Sequence, residues 1–207
     1  MLKDEKKWKN NWQSSGRAGD DRSQYDQPGG KDELVKRLEH ALQYSEVGFF
    51  YVKNFNISQE EVDRQFALGR EFYALPLEER FKYHNSSDLE RGEYNGYRPA
   101  GHRILGNGIR DNVQPCTSPK SSPSPGNAHT EDIEKLLHLV VILLELPDEE
   151  QLVRDQRYDV EGEDHLRYVH HAARSTEENK LVDDVYCLGH TGLGIVALLF
   201  PQPVVAL

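Results

Sequence analysis

The residues best suited to chemistry lie in the last quarter of this 207-residue chain. Residues 187–200 read CLGHTGLGIVALLF, with His190 in a turn just before an apolar run. A neutral imidazole is a common ligand for a divalent metal. A metal site would want a carboxylate two residues on, because i and i+2 reach the same side of extended chain. Gly192 stands there and carries no donor. Other donors are near in sequence. Cys187 is a soft ligand by type, although free cysteine is more often a small buried hydrophobe. His170 and His171 are adjacent in LRYVHH, so on a strand they point to opposite faces. Only one of them can share a pocket with His190. A metal set of His171, His190 and either Asp183 or Asp184 is one reading of these donors. A hydrogen-bonded strand histidine is the plainer alternative for His171.

The elements that position these residues follow from periodicity. Leu34, Val35, Leu38, Ala41 and Leu42 form one stripe and predict a helix opening at Asp32. FFYV at 49–52 has the composition of a short buried strand. Ser58 followed by Glu61 is a capping-box pattern, and Val62, Phe66, Gly69 and Tyr73 continue a helix to the break at Pro76. LEERFKYH then suggests a short helix. Residues 94–113 are glycine-rich and predict loop and extended chain. TSPKSSPSPG at 117–126 is a Pro/Ser linker. Ile133, Leu136, Leu137, Val140, Val141 and Leu144 predict a strong helix, with His129 near its start, His138 at its packing edge and Pro147 at its end. LRYVHH at 166–171 and IVALLF at 195–200 read as strands, the second as core. His165, beside Asp164, reads as a surface residue. There is no internal repeat.

Bulk properties narrow the functional class. The formal net charge is −10 and the pI about 5.4. Nucleic acid and anionic membrane both reward a basic face, so neither is expected as the main partner. No apolar run is long enough to span a bilayer, and the opening MLKDEKKWKNNW lacks a signal-peptide core. Cys116 and Cys187 are too few for a disulfide framework. The expectation is a cytoplasmic protein. Mean hydropathy is −0.75, low for a compact domain, so part of the chain should be loose.

A family resemblance rests on VGFFYVKNFNI, ALPLEERFKY, NGYRPAG, LELPDEEQLV, LRYVHHAARSTEEN and GHTGLGIVALLF, in that order. The chain resembles the 2-oxoglutarate/Fe(II)-dependent dioxygenase superfamily, most nearly its isopenicillin-N-synthase-like branch of fungal secondary metabolism. The resemblance covers roughly residues 32–116 and 129–207. It implies an α+β fold: a double-stranded β-helix, or jelly roll, with N-terminal and central packing helices. It also implies Fe(II) held by two histidines and one carboxylate, with open positions for 2-oxoglutarate and O2. The implied parent reaction is O2-driven hydroxylation, desaturation or ring formation on a small molecule, with 2-oxoglutarate converted to succinate. By this resemblance His190 is the first metal ligand and Gly192 takes the place of the carboxylate ligand. His171 aligns with a tyrosine that contacts 2-oxoglutarate. Tyr94, Gly96, Tyr97 and Arg98 edge the substrate pocket.

The chain departs from the pattern in ways that set competing expectations. No histidine follows His190, so the distal ligand has no counterpart, and the Arg-x-Ser pair that holds 2-oxoglutarate is missing. The opening hydrophobic strand is not found, and the Pro/Ser linker replaces a longer segment. The implied organisation is a flexible polar tail at 1–30 and an N-terminal helix and strand region at 31–116. A linker at 117–128 and the central helix with half a jelly roll at 129–207 complete it, the chain being shortened and truncated. Strands left unpaired by such an ending favour self-association. Functionally, one expectation is an oxidoreductase whose catalysis by this chain alone is impaired. A second is a non-catalytic, degenerate member or binding partner. A third is a halogenase-like enzyme, since glycine at the carboxylate position leaves room for a halide.

Overall fold

The computed structural model describes residues 19–44, 50–84, 95–105, 108–119, 127–157, 164–184 and 194–200. In chain order the elements are β1 (Gly19–Asp21), a 3-10 turn (Arg22–Gln24) and α1 (Gly30–Glu39), which runs on into a π-helical turn (His40–Tyr44). Then come β2 (Tyr51–Lys53), α2 (Gln59–Ala74), α3 (Leu77–Phe81), β3 (Gly96–Tyr97) and β4 (Val113–Pro119). The last are α4 (Asn127–Leu143), α5 (Gln151–Asp155), β5 (His165–His171) and α6 (Thr176–Leu181). They divide into two units, Met1–Ile57 with Ser122–Gly162, and Ser58–Ser121 with Glu163–Leu207. Among the described residues no helix is long and apolar enough to cross a membrane.

The first unit is built on α1 and α4. Leu34 and Leu38 recur at i, i+4, so they share the face of α1 that meets α4. With Tyr25 and Leu139 they form the core, and Val35, Phe50, Val140 and Leu143 pack round it. Burying each leucine contributes about 2 kcal/mol. Gly30 is required at the start of α1, since a Cβ there would lie 1.7 Å from the Gln24 carbonyl oxygen. β1 and β2 pair in parallel, Gly19 opposite Tyr51.

Residues 19–30 are therefore not part of a featureless tail. Tyr25 is buried, and its hydroxyl lies 3.1 Å from Nδ1 of His138, whose Nε2 lies 3.1 Å from Glu150. The Lys135 ammonium donates to Asp26 at 2.6 Å and sits 5.3 Å from the centre of the Tyr25 ring. A polar composition hid this segment because one aromatic residue supplies most of its burial.

The second unit is a helix on a sheet. Ser58 caps α2, its Oγ accepting from the Glu61 amide at 3.2 Å while Glu61 accepts from the Ser58 amide at 2.8 Å. α2 stops at Ala74 and Pro76 leads into α3. The sheet has the order β3-β4-β5 and is antiparallel throughout. Its register sets Tyr97 opposite Cys116, Cys116 opposite Tyr168 and Gln114 opposite His170. α2 covers the face that carries these residues. Gly69 lets Tyr168 approach, for a Cβ there would come within 3.0 Å of that ring. Phe72 meets Tyr97 edge-on at 5.7 Å. The alternate residues, Val113, Pro115, Thr117, Arg167, Val169 and His171, belong to the other face.

The α+β class holds, in the form of helices with a three-stranded antiparallel sheet and a separate parallel pair. Several local expectations change. β4 takes up residues 117–119 of the expected linker, because their partners on β5 supply ladder bonds that composition does not reveal. The polar stretch after β5 holds α6, opened by a second capping box of Ser175 and Glu178. Residues 195–200, expected as a core strand, have no regular structure, and Leu199 is 92% exposed. An apolar run becomes a strand only when another strand bonds to it, and none among the described residues does.

Candidate functional site

The sheet places the two adjacent histidines on opposite sides. His170 lies under α2, its ring stacked on Tyr73 with centroids 4.9 Å apart. His171, paired with Val113, belongs to the opposite face and is exposed there. Partial desolvation of its ring, then the charges of His170 and Arg174, hold His171 below the ordinary imidazole value. Its ring is therefore neutral at neutral pH, one nitrogen a donor and the other an acceptor.

The end of β5 that bears His171 is clamped. The Ala172 amide donates to the Asn112 carbonyl at 2.9 Å, and the Asn112 side chain donates back to the Ala172 carbonyl. Asn112 is itself buried. Tyr73 braces the strand from the other face. Its hydroxyl lies 2.5 Å from the Gln114 carbonyl oxygen and 3.1 Å from that of Tyr168. Burial drives the Tyr73 phenol far above its ordinary value, so it acts as a permanent donor. Beside it Arg80 donates to Gln114 at 2.6 Å and to the Tyr97 hydroxyl at 3.2 Å. Burial also raises the Cys116 thiol, which leaves it an inert packing group rather than a thiolate ligand.

On the same face as His171 a shallow cleft opens beside β3. Asn95, Gly96, Arg98, Thr117 and Arg167 line it. Gly96 has a φ of 79°, and a Cβ there would stand 2.2 Å from the Tyr83 carbonyl oxygen. Arg98 is tied to β4 by its amide, which donates to the Pro115 carbonyl at 2.9 Å. The Arg167 Nε donates to Thr117 Oγ1 at 3.1 Å. Gly96 and Arg98 border this cleft, while the Tyr97 ring lies on the other face, under α2. Arg167 and Thr117 lie outside the residues that the resemblance marks. The strand period alone puts 167, 169 and 171 on one face.

His190, Gly192, Cys187 and Tyr94 lie outside the described residues. Among the described residues no three His, Cys, Asp or Glu side chains are grouped to hold a metal ion. Asp183 and Asp184 both adopt positive φ, 52° and 59°, at the end of α6. His138 is engaged by Tyr25 and Glu150, and His165 is exposed on β5. The described donors do not by themselves make a metal centre.

Comparison with known proteins bears on this arrangement. Residues 20–121 match the family described as non-haem dioxygenase in morphine synthesis, N-terminal. Azadirone synthase LFS of Melia azedarach is 44% identical over 54 residues, 26% of this chain and 15% of that protein. A full-length Neurospora crassa protein, solved in complex with alpha-KG, superposes with a TM-score of 0.56 at 17% identity, over 77% of this chain and 55% of that one. The same protein with alpha-KG and 5-formyluracil gives a TM-score of 0.55 at 17% identity, over 77% and 53%. The chain thus spans a small part of the curated relative and about half the length of the solved structures. At that identity the solved structures establish likeness of fold.

Proposed function

Because the chain is a member of the 2-oxoglutarate/Fe(II)-dependent dioxygenase superfamily, we propose that it acts as, or within, an oxidoreductase that oxidises a small organic molecule. In a hydroxylation of this kind one oxygen atom of O2 enters the substrate and the other enters succinate, as 2-oxoglutarate loses CO2. The observation that carries the reading is the family match over residues 20–121. The alpha-KG bound to the Neurospora crassa protein supports 2-oxoglutarate as co-substrate. Bound Fe(II) would supply the site at which 2-oxoglutarate and O2 meet. His190 is the residue of this chain that would hold it, and His171 would donate a hydrogen bond to 2-oxoglutarate. The substrate is a secondary metabolite in this reading, and the setting is cytoplasmic.

Gly192 favours a second reading. With no donor at the carboxylate position, iron is held by fewer protein ligands and catalysis by this chain alone is impaired. The chain then serves as a non-catalytic member or binding partner, or a halide fills the vacated position. Anaerobic titration of the protein with Fe(II) and 2-oxoglutarate decides between these readings. A saturable visible charge-transfer band supports a chelating site, and its response to chloride tests the halide. A folded protein that gives no band overturns oxygenation by this chain.

A further inference from the structure

We propose that Arg167, with Arg98 beside it, anchors a carboxylate of an organic acid in the cleft on the His171 face of the sheet; this rests on the reading of that face as the ligand side of the site. Three observations lead there. The first is fixation. Arg167 Nε is engaged by Thr117 Oγ1 at 3.1 Å, and Thr117 is only 4% exposed. A guanidinium held by one N–H has less freedom to lose when its remaining N–H groups take a ligand.

The second is the missing counter-charge. Arg37 pairs with Glu33, Lys82 with Glu79, Lys135 with Asp26 and Arg154 with Asp148. Arg167 has no carboxylate partner among the described residues. The positions of β4 and β5 sharing its face are Val113, Pro115, Thr117, Pro119, His165, Val169 and His171, none of them acidic. The chain as a whole carries a net charge of −10. The overall field repels anions, so capture must rest on short-range, directional contacts. An arginine fork meets both oxygens of a carboxylate at once, which an ammonium does not.

The third is room. Gly96 sits across β4 from Arg167 in the row Gly96–Thr117–Arg167 and contributes no side chain. The cleft is therefore shallow and open beside the fork. The carboxylate could belong to the organic substrate or to 2-oxoglutarate.

The test uses the full chain without iron, followed by 15N-resolved NMR at the Arg167 Nε–H. The probes are benzoate, benzamide and 2-oxoglutarate at constant ionic strength. Benzoate should give saturable shifts and benzamide none. Arg167→Gln should weaken the acid about tenfold or more, and Arg167→Lys should restore only part of it. Binding of benzoate alone assigns the carboxylate to the substrate; Arg167-dependent binding of 2-oxoglutarate, competed by benzoate, assigns it to the co-substrate. The proposal falls if neither acid shifts Arg167, if benzamide matches benzoate, or if Arg167→Gln binds equally with its amide dispersion intact. Thr117→Val, which frees the guanidinium without removing it, should weaken binding less than Arg167→Gln. No metal is present, so this result and the charge-transfer titration fail independently.

Discussion

The Tyr73 ring stacks on His170 at 4.9 Å, while its hydroxyl reaches the carbonyls of Gln114 on β4 and Tyr168 on β5. One helical side chain thus ties two strands and fixes which histidine faces away. Tyr73→Phe keeps the stack and removes the donor. The one O–H serves a single carbonyl at a time, so its loss should lower stability by about 1 kcal/mol. Urea denaturation of the two proteins measures it. A change under a few tenths would mean water replaces the hydroxyl.

Gly96 is the most constrained position of the cleft. Its φ of 79° lies in the left-handed region, and a Cβ would meet the Tyr83 carbonyl oxygen at 2.2 Å. That carbonyl also accepts from the Tyr97 amide at 2.9 Å, so it is held in place. Gly96→Ala should cost about 2 kcal/mol or more and displace β3. Thermal unfolding of the variant checks the first. Loss of the Arg167 Nε shift on adding benzoate checks the second.

Two capping boxes offer a matched pair. Ser58–Glu61 opens α2 and Ser175–Glu178 opens α6, with Ser oxygens accepting at 3.2 Å in both. Each Ser→Ala should cost about 1 kcal/mol. The two variants should differ in what else they disturb. α2 carries Tyr73 and Phe72, so Ser58→Ala should loosen the sheet face. α6 is six residues long and buries none of them, so Ser175→Ala should fray only locally. Amide hydrogen exchange separates the two.

How much of this was legible follows from how local each signal is. Ser58 and Glu61 are three positions apart, and the box could be read directly. Ser175 and Glu178 carry the same pattern, but a short polar helix has no apolar stripe to draw attention to it. The opposite facing of His170 and His171 needed only the period of a strand. The burial of Tyr25 depends on His138, 113 positions away, and the Arg167–Thr117 contact spans 50. No window on the sequence contains such pairs. IVALLF shows the converse: its composition is that of a strand, but a strand is defined by its neighbour.

Gly192 can be tested by giving back a donor. If His190 is a metal ligand, Gly192→Asp restores the i, i+2 carboxylate and should tighten Fe(II) binding by about tenfold or more. The charge-transfer band with 2-oxoglutarate reports it. His190→Ala should abolish the gain. If Gly192→Asp changes nothing while the chain stays folded, His190 is not a ligand and the sequence motif has lost its role.

His171 makes stability depend on pH through its protonation. Its folded value lies below the ordinary imidazole value, chiefly because the ring is partly desolvated and secondarily because His170 and Arg174 repel a proton. Between those two values the unfolded chain binds more protons than the folded one, so stability rises with pH across that window. Above the ordinary value both states are neutral and the contribution vanishes. On acidification the full penalty is present below the lowered value. His171→Gln should remove this slope, making stability less dependent on pH in the acid range than in the parent protein. Benzoate bound at Arg167 should leave this titration unchanged, since four strand residues, about 13 Å, separate His171 from Arg167. An NMR titration of the His171 ring, in the folded protein and in urea, measures the two values directly. A folded ring that titrates at the ordinary value would remove this slope from the parent protein.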